Sequence, residues 1–335
     1  MKPLRIAAIT DHLDGHSSQV EAIVEAIGEA RPVEVTRLSP RRWSPLRSHR
    51  IRRFVLDADH AGRLAPLVVA GDWRRPVDLV VSASGSTTTG NVLLKRRHGA
   101  RNIFSGQARG IAPGDIDCIL AHQPDHAVTP FHVFGPVPVL RFPVARRPGP
   151  FRGLAGAKLA VIVGGRATGN GYDFDDRYCE RLFPRLAAID AEVPGLRWVV
   201  VPSRRTPEAA YPAIEAFARA AHDCDLVDFR SAGPGSLARA HDCDAVLVTQ
   251  DSKTMVSEFL SNAYPLAVLT VPRPRPRPGD YHDSLMKSTT VSHLDPTELT
   301  AERLETALKA AQPEAQDIYA RLRAMIAQRI PDLFT

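Results

Sequence analysis

The chain has 335 residues, of which 44% are hydrophobic and 24% charged, a composition typical of a soluble globular protein with room for two domains. No apolar run reaches the roughly 18–20 residues that cross a bilayer, and charge follows Met1 too soon for a signal peptide, so we expect a cytoplasmic protein. The simplest explanation of the net charge of +6 is a solvated basic face, but it also suits nucleic acid, an anionic substrate or an anionic membrane surface. Few aromatic residues accompany the arginine clusters at 41–53, 141–152 and 273–278, which argues against nucleic acid as a partner.

The first half alternates apolar runs with segments of helical spacing, a pattern typical of an α/β domain. Strands are predicted at 4–10, 33–38, 77–84, 101–105, 116–121 and 137–142, and helices at 19–27, about 51–69 and 91–97, the last ending near Gly99. Small hydroxylic residues at 85–90 follow a strand and form a candidate anion-binding loop. The segment 41–53 is basic and irregular, which leaves a peripheral contact with the inner face of a membrane open.

A Pro/Gly/Arg-rich stretch at 145–153 indicates a linker, after which the α/β pattern starts again. Strands are predicted at 158–163, 196–201, 225–229, 245–249 and 266–271, and helices at 173–189, from Thr206 as N-cap to about 221, after Asp251, and within 299–330 with a break at Pro313. We therefore predict Rossmann-like domains at 1–148 and 149–312. Residues 313–335 should form a C-terminal helix that packs back on the first domain.

Ligands of open parallel sheets bind outside the carboxyl ends of the strands, where loops of the second half should meet. Arg204 and Arg205 could neutralise a diphosphate, and Glu258 could accept hydrogen bonds from the two hydroxyls of a ribose. The predicted nucleotide-binding residues are Gly164, Gly165, Ser203, Arg204, Arg205, Thr206, Phe229, Asp251, Ser252, Met255, Val256, Ser257 and Glu258. The competing interpretation of the last stretch is an ordinary helix start capped by Ser252 or Thr254.

Candidate catalytic residues follow the first strand, where His16 and Asp14 lie near Asp11. A histidine at this position can act as a general base at neutral pH, although it could equally serve only to cap the next helix. No Asp-x-Asp motif stands at a strand end, so no metal site is predicted. The tetrapeptide His-Asp-Cys-Asp occurs at 222–225 and again at 241–244, and we interpret the repeat as two helix ends.

Three motifs of the second half resemble the ELM1-like family, named for a plant mitochondrial-fission protein. They are Ile-Val-Gly-Gly ending at Gly165, Val-Pro-Ser-Arg-Arg-Thr-Pro ending at Pro207, and Asp-Ser-x-Thr-Met-Val-Ser-Glu ending at Glu258. The last motif is also similar to the donor-site segment of MurG-type transferases, in which the glutamate contacts the ribose. The resemblance implies a GT-B fold, with two Rossmann-like domains facing each other across a cleft.

The resemblance also implies a function. It indicates a metal-independent, inverting glycosyltransferase that takes a UDP-type nucleotide sugar without a further cofactor. The acceptor would be a cell-envelope glycan, a polysaccharide or a lipid-linked molecule. Departures from the family pattern at 84–87 and 122–125 leave the acceptor open. Two alternatives remain at this point: a non-catalytic adaptor that binds a protein or membrane, and a UDP-sugar epimerase.

Overall fold

The computed structural model describes residues 2–11, 14–41, 61–106, 110–112, 114–121, 132–134, 149–166, 171–175, 177–273, 291–311 and 318–334. The chain divides into two compact units, which we call unit one (Met1–Leu140 with Asp317–Thr335) and unit two (Arg141–Gln316). The sequence placed these boundaries near 148 and 312. The predicted strand at 137–142 lies outside the described residues, and so does the basic segment 41–53 except for Arg41.

Unit one contains a seven-stranded sheet in the part of the chain that the structure describes. Its strands are β1 (Leu4–Ile9), β2 (Val33–Pro40), β3 (Val69–Ala70), β4 (Leu79–Ala83), β5 (Arg101–Ser105), β6 (Cys118–Ala121) and β7 (His132–Phe134). Their spatial order is β3-β2-β1-β4-β5-β6-β7, and every pair is parallel except β2 with β3. The short strands β3 and β7 were not predicted.

Helices cover both faces of this sheet because its central strands are apolar on both sides. The helices among the described residues of unit one are α1 (Asp14–Gly28), α2 (Ala61–Val68), α3 (Thr88–His98) and α9 (Ile318–Ala327). Along β1, Ile6 and Ala8 belong to one core cluster, whereas Ala7 and Ile9 belong to the other. Helix α3 ends as predicted at Gly99, whose φ of 61° is in the left-handed region that favours glycine.

The C-terminal helix α9 packs on unit one, as the fold prediction required. Tyr319 is fully buried in the same core cluster as Ile6 and Ile23. Its hydroxyl donates to Glu25 Oε2 of helix α1 at 2.8 Å, and the guanidinium of Arg323 pairs with Glu29, the residue directly after that helix. The end of the chain therefore contributes to the core that its beginning forms.

Unit two contains a six-stranded, fully parallel sheet among the described residues. Its strands are β8 (Lys158–Val163), β9 (Arg197–Pro202), β10 (Cys224–Leu226), β11 (Ala245–Thr249), β12 (Leu266–Leu269) and β13 (Ser292–Leu294). The spatial order β10-β9-β8-β11-β12-β13 corresponds to 3-2-1-4-5-6, the Rossmann order. In that order the connections reverse direction between β8 and β11, so this switch point is where the sheet offers a ligand site.

Both faces of the second sheet are again covered. Helices α4 (Tyr178–Glu192), α5 (Tyr211–Ala220) and α8 (Ala301–Ala310) contribute to one core cluster, and α7 (Lys253–Ser261) contributes to the other. A short helix α6 (Phe229–Ala232) and a 3-10 helix (Gly233–Asp242) follow β10. Within the described ranges no helix is both long and apolar enough to span a bilayer.

Several predicted elements are corrected by the structure. The helix predicted at 173–189 is α4 and begins only at Tyr178, since Phe174 is a buried core residue and the N–H of Asp173 donates to the carbonyl of Pro272. The strand predicted at 225–229 ends at Leu226, because the carboxylate of Asp228 caps the start of α6 by accepting from the N–H of Arg230.

Candidate functional site

The loops after β8 and β11 meet at the switch point of unit two, and Asp251 joins them. Its side chain is fully buried, and its Oδ2 accepts a hydrogen bond of 2.9 Å from the main-chain N–H of Gly165. The hydroxyl of Thr249 donates to its Oδ1 at 2.7 Å. Burial raises the pKa of Asp251, while the charge of Arg205 and these two hydrogen bonds act to lower it. A carboxylate thus holds the two central loops of the sheet together.

Gly164 and Gly165 have no room for a side chain. A Cβ on Gly164 would lie 2.2 Å from Asp251 Oδ1, and a Cβ on Gly165 would lie 1.9 Å from the carbonyl oxygen of Arg205. Both glycines were predicted to form a ligand loop. The structure gives them a packing reason as well, because only glycine permits this approach of three chain segments.

The predicted polar residues after β9 hold the same loops by hydrogen bonds. Thr206 Oγ1 donates to the carbonyls of Val163 and Gly164, at 3.0 and 2.7 Å, and Ser203 Oγ donates to the carbonyl of Gly164 at 3.1 Å. The prediction that Thr206 is a helix N-cap is wrong, because its hydroxyl is used in these contacts. The following 3-10 helix, Glu208–Ala210, has Pro207 in the N-cap position.

The two adjacent arginines differ in their surroundings. Arg204 is exposed, whereas the side chain of Arg205 is 32% exposed and its Nη2 lies 3.3 Å from Asp251 Oδ2. The buried carboxylate therefore orients one guanidinium and not the other. A guanidinium has five N–H donors and only Nη2 lies close to the carboxylate, so Arg205 can still offer hydrogen bonds to an anion.

Helix α7 starts beside Asp251 with Ser252 at its N-cap, whose side chain makes no capping bond. Met255 and Val256 point into the core, and Ser257 is also buried, so these three predicted residues are suited to contact a ligand only through their main chain. The first N–H groups of an α-helix lack partners inside the helix and favour anions. Phe229 is half-buried at the start of α6, beyond the carboxyl end of β10.

Glu258 is more enclosed than the sequence suggested. It is 3% exposed, and its Oε1 lies 2.8 Å from His241 Nε2. Burial raises the pKa of Glu258, and the hydrogen bond from His241 acts to lower it. His241, which the sequence analysis placed at a helix end, is thus the hydrogen-bond partner of the residue predicted to bind the ribose. The two residues are 17 positions apart, and no local pattern in the sequence indicated that they pair.

Unit one has a comparable arrangement at its own switch point, between β1 and β4. Asp11 follows β1, and its Oδ2 accepts hydrogen bonds of 2.8 Å from both Ser84 Oγ and Ser86 Oγ, which follow β4. His16 Nδ1 lies 3.0 Å from the same oxygen. The side chain of Asp11 is 5% exposed and that of His16 is 35% exposed.

The electrostatics of this cluster favour an ionised aspartate. Burial acts to raise the pKa of Asp11, but hydrogen bonds from His16, Ser84 and Ser86 hold it well below its ordinary value. Asp14 begins helix α1, and its side chain lies outside the described residues. The structure therefore gives His16 a carboxylate partner in Asp11.

The two switch points share one design. In each, a carboxylate with at most 5% exposure links the loops after two central strands and contacts a basic side chain that is about one-third exposed. The basic groups are His16 in unit one and Arg205 in unit two. Over the residues that are described, no group of three or more His, Cys, Asp or Glu side chains is placed to hold a metal ion.

Comparison with known proteins gives a family and a fold. Residues 14–322 match the model of a family described as "Mitochondrial fission ELM1". A search of curated proteins found no match.

Among solved structures, a co-structure of S. aureus MnaA with UDP has a TM-score of 0.55 at 11% identity and covers 99% of this chain and 98% of that one. A UDP-GlcNAc 2-epimerase from Neisseria meningitidis, bound to UDP-GlcNAc, has a TM-score of 0.52 at 10% identity and covers 98% of this chain and 100% of that one. A glycotransferase of kitacinnamycin has a TM-score of 0.53 at 13% identity, covering 100% of both chains. The fold is of the GT-B type.

Proposed function

We propose a function for a chain that belongs to the mitochondrial fission ELM1 family: it binds a UDP-type nucleotide sugar in unit two and transfers the sugar to an acceptor hydroxyl. The observation that carries this proposal is the orientation of Arg205 by the fully buried Asp251 at the switch point of a Rossmann-type sheet. A charge held there, beside the start of helix α7, suits a diphosphate.

The donor contacts follow from the positions of the side chains. The guanidinium of Arg205 and the main-chain N–H groups near Ser252 and Met255 would receive the diphosphate oxygens. Glu258 would accept from the ribose hydroxyls, and Phe229 would lie near the base. Positive charge at the diphosphate would stabilise the leaving UDP without a metal ion or a further cofactor.

His16 is the proposed general base. Because its Nδ1 faces Asp11, its Nε2 is the nitrogen that would take the proton of an acceptor hydroxyl. The acceptor oxygen would then form a bond to C1 of the sugar while the bond from C1 to the diphosphate oxygen breaks and UDP leaves with the electron pair. A single displacement of this kind inverts the configuration at C1. Asp11 would stabilise the imidazolium that forms.

The acceptor belongs to the proposal only as a class. We propose a glycan or lipid-linked hydroxyl of the cell envelope, with the protein working at the inner face of the membrane. The three compared structures are of proteins named for a bound nucleotide or for an activity. At 10–13% identity, these comparisons support only the fold of this chain. The substrate assignment therefore depends on the residues of unit two.

A binding and product assay tests the proposal. The protein is titrated with uridine, UDP and UDP-sugars by calorimetry, and mixtures with UDP-sugars are then analysed for free UDP and for altered sugars. We expect UDP to bind more tightly than uridine and free UDP to accumulate slowly. An altered sugar still attached to UDP would favour an epimerase, and no binding of any of these molecules would favour an adaptor.

A matched pair of histidine variants tests the base. His16→Gln should lower the rate of UDP release by about 10²-fold or more, which is the usual contribution of a general base. His222→Gln is the control, because His222 Nδ1 also pairs with a buried aspartate, Asp190, at 2.7 Å but lies outside either switch point. Equal rates for the two variants would rule out His16 as the base.

A further inference from the structure

We infer that His241 is a positioning residue that presents Glu258 to the ribose of the bound nucleotide. This inference rests on the proposed function and adds a residue to its site. The observation behind it is the contact between two enclosed side chains: His241 Nε2 lies 2.8 Å from Glu258 Oε1, and each side chain is only 5% exposed.

The pair connects two elements that precede and follow β11 along the chain. His241 lies in the last turn of the 3-10 helix Gly233–Asp242, just before β11, whereas Glu258 lies in helix α7, just after it. The contact between these elements fixes the position of helix α7 relative to the sheet, and α7 carries Glu258, the residue proposed to bind the ribose. Glu258 thus acquires a defined direction as well as a position.

Aromatic packing fixes the imidazole ring itself. The ring of Phe259 stacks on it, with centroids 4.8 Å apart and an angle of 22° between the planes. The ring of Tyr264 meets it edge-on at 5.6 Å, and the Tyr264 hydroxyl donates to the main-chain carbonyl of His241. Because these contacts fix both the imidazole ring and the main chain of His241, they also fix the direction of its hydrogen bond to Glu258.

This geometry suits a carboxylate that must bind a diol. A carboxylate has two oxygens, so a hydrogen bond from His241 to Oε1 leaves Oε2 to accept from ribose hydroxyls. The described residues provide no second side-chain donor to Glu258. The hydrogen bond from His241 also opposes the effect of burial on the pKa of Glu258, and so favours the ionised form that can only accept.

The test compares two nucleotides that differ only in the ribose hydroxyls. Calorimetry gives the ratio of the Kd values for 2′,3′-dideoxyuridine diphosphate and UDP, in the wild type, in His241→Phe and in His241→Gln. Loss of hydrogen bonds to a charged group should make this ratio about tenfold or more in the wild type. We expect His241→Phe to bring it close to one, because phenylalanine keeps the ring packing without the donor.

His241→Gln provides the rescue, because its amide nitrogen can replace Nε2 as the donor to Glu258. We expect it to restore most of the wild-type ratio. A purely structural role for His241 would instead weaken the binding of both nucleotides equally and leave the ratio unchanged. If His241→Phe does not fold, His241→Asn, whose shorter amide falls short of Glu258 Oε1, carries the same expectation.

The outcomes separate this inference from the proposed function. UDP binding by the wild type with an unchanged ratio in His241→Phe overturns the role of His241 alone. Absence of UDP binding by the wild type overturns the proposed function, and the inference with it. A reduced ratio in His241→Phe that His241→Gln restores supports the inference.

Discussion

Gly165→Ala should damage both the stability and the ligand site of unit two. An added Cβ would lie 1.9 Å from the carbonyl oxygen of Arg205, 2.2 Å from its carbonyl carbon and 2.7 Å from the N–H nitrogen of Thr206. All three are main-chain atoms, so no side-chain rotation can relieve the contact. The loops would have to separate by at least about 1 Å for the closest contact to reach 3.0 Å.

The expected cost follows from what holds these loops in place. Overpacking a well-packed site costs about 1–3 kcal/mol. The upper end applies here, because the bonds from Thr206 to Val163 and Gly164 and from Gly165 to Asp251 resist separation. About 3 kcal/mol in a unit of this size corresponds to a fall in Tm of about 6–12 °C. UDP affinity should also fall, since the shift moves Arg205.

The assay is thermal unfolding together with UDP titration, and Gly235→Ala is the matched control. Gly235 lies in the same unit, and a Cβ there would have no neighbour within 4 Å. We expect the control to stay within about 0.5 kcal/mol of the wild type in unfolding free energy, as is usual for surface changes. Equal stability of the two variants would show that the close approach of these loops is not a property of the folded protein.

Further predictions concern the charged groups. Arg205→Lys should weaken UDP binding about tenfold or more, because lysine lacks the guanidinium fork, while uridine binding and the exposed control Arg204→Lys should change little. Glu258→Gln should weaken UDP binding by a similar factor without unfolding the protein, because the amide oxygen can still accept from His241. Glu258→Ala should in addition lower the unfolding free energy by about 1–3 kcal/mol, since it removes that acceptor. Burial acts to raise the pKa of Asp11, but hydrogen bonds from the neighbouring imidazole and hydroxyls hold it below its ordinary value of about 3.9, so its ionised form stabilises the fold above that pH. Denaturant unfolding should therefore show that the unfolding free energy of the wild type exceeds that of Asp11→Asn by less and less as the pH falls below about 4. A constant difference in unfolding free energy down to pH 2 would contradict this.

Much of the fold is predictable because the strands are apolar on both faces. A short apolar run such as Leu159–Val163, which is buried throughout, is typical of a central parallel strand covered on both faces. Strands β3, β7 and β13 were missed, since strands of two or three residues leave no periodic signal.

The candidate site was predictable in its position and less so in its contacts. Strand ends and glycines indicated the loops around Gly165 and Asp251, but the chain gives no sign that Asp251 would orient Arg205 rather than Arg204. The pairing of Glu258 with His241 depends on how a 3-10 helix and α7 pack around β11. Such contacts arise from tertiary structure, and a single sequence does not contain them.

The most direct measurement is a crystal structure of the protein with UDP. The proposed function predicts a diphosphate within hydrogen-bond distance of the Arg205 guanidinium and of main-chain N–H groups at the start of α7, with the ribose at Glu258. A diphosphate bound elsewhere, or UDP absent from crystals soaked at millimolar concentration, would contradict it.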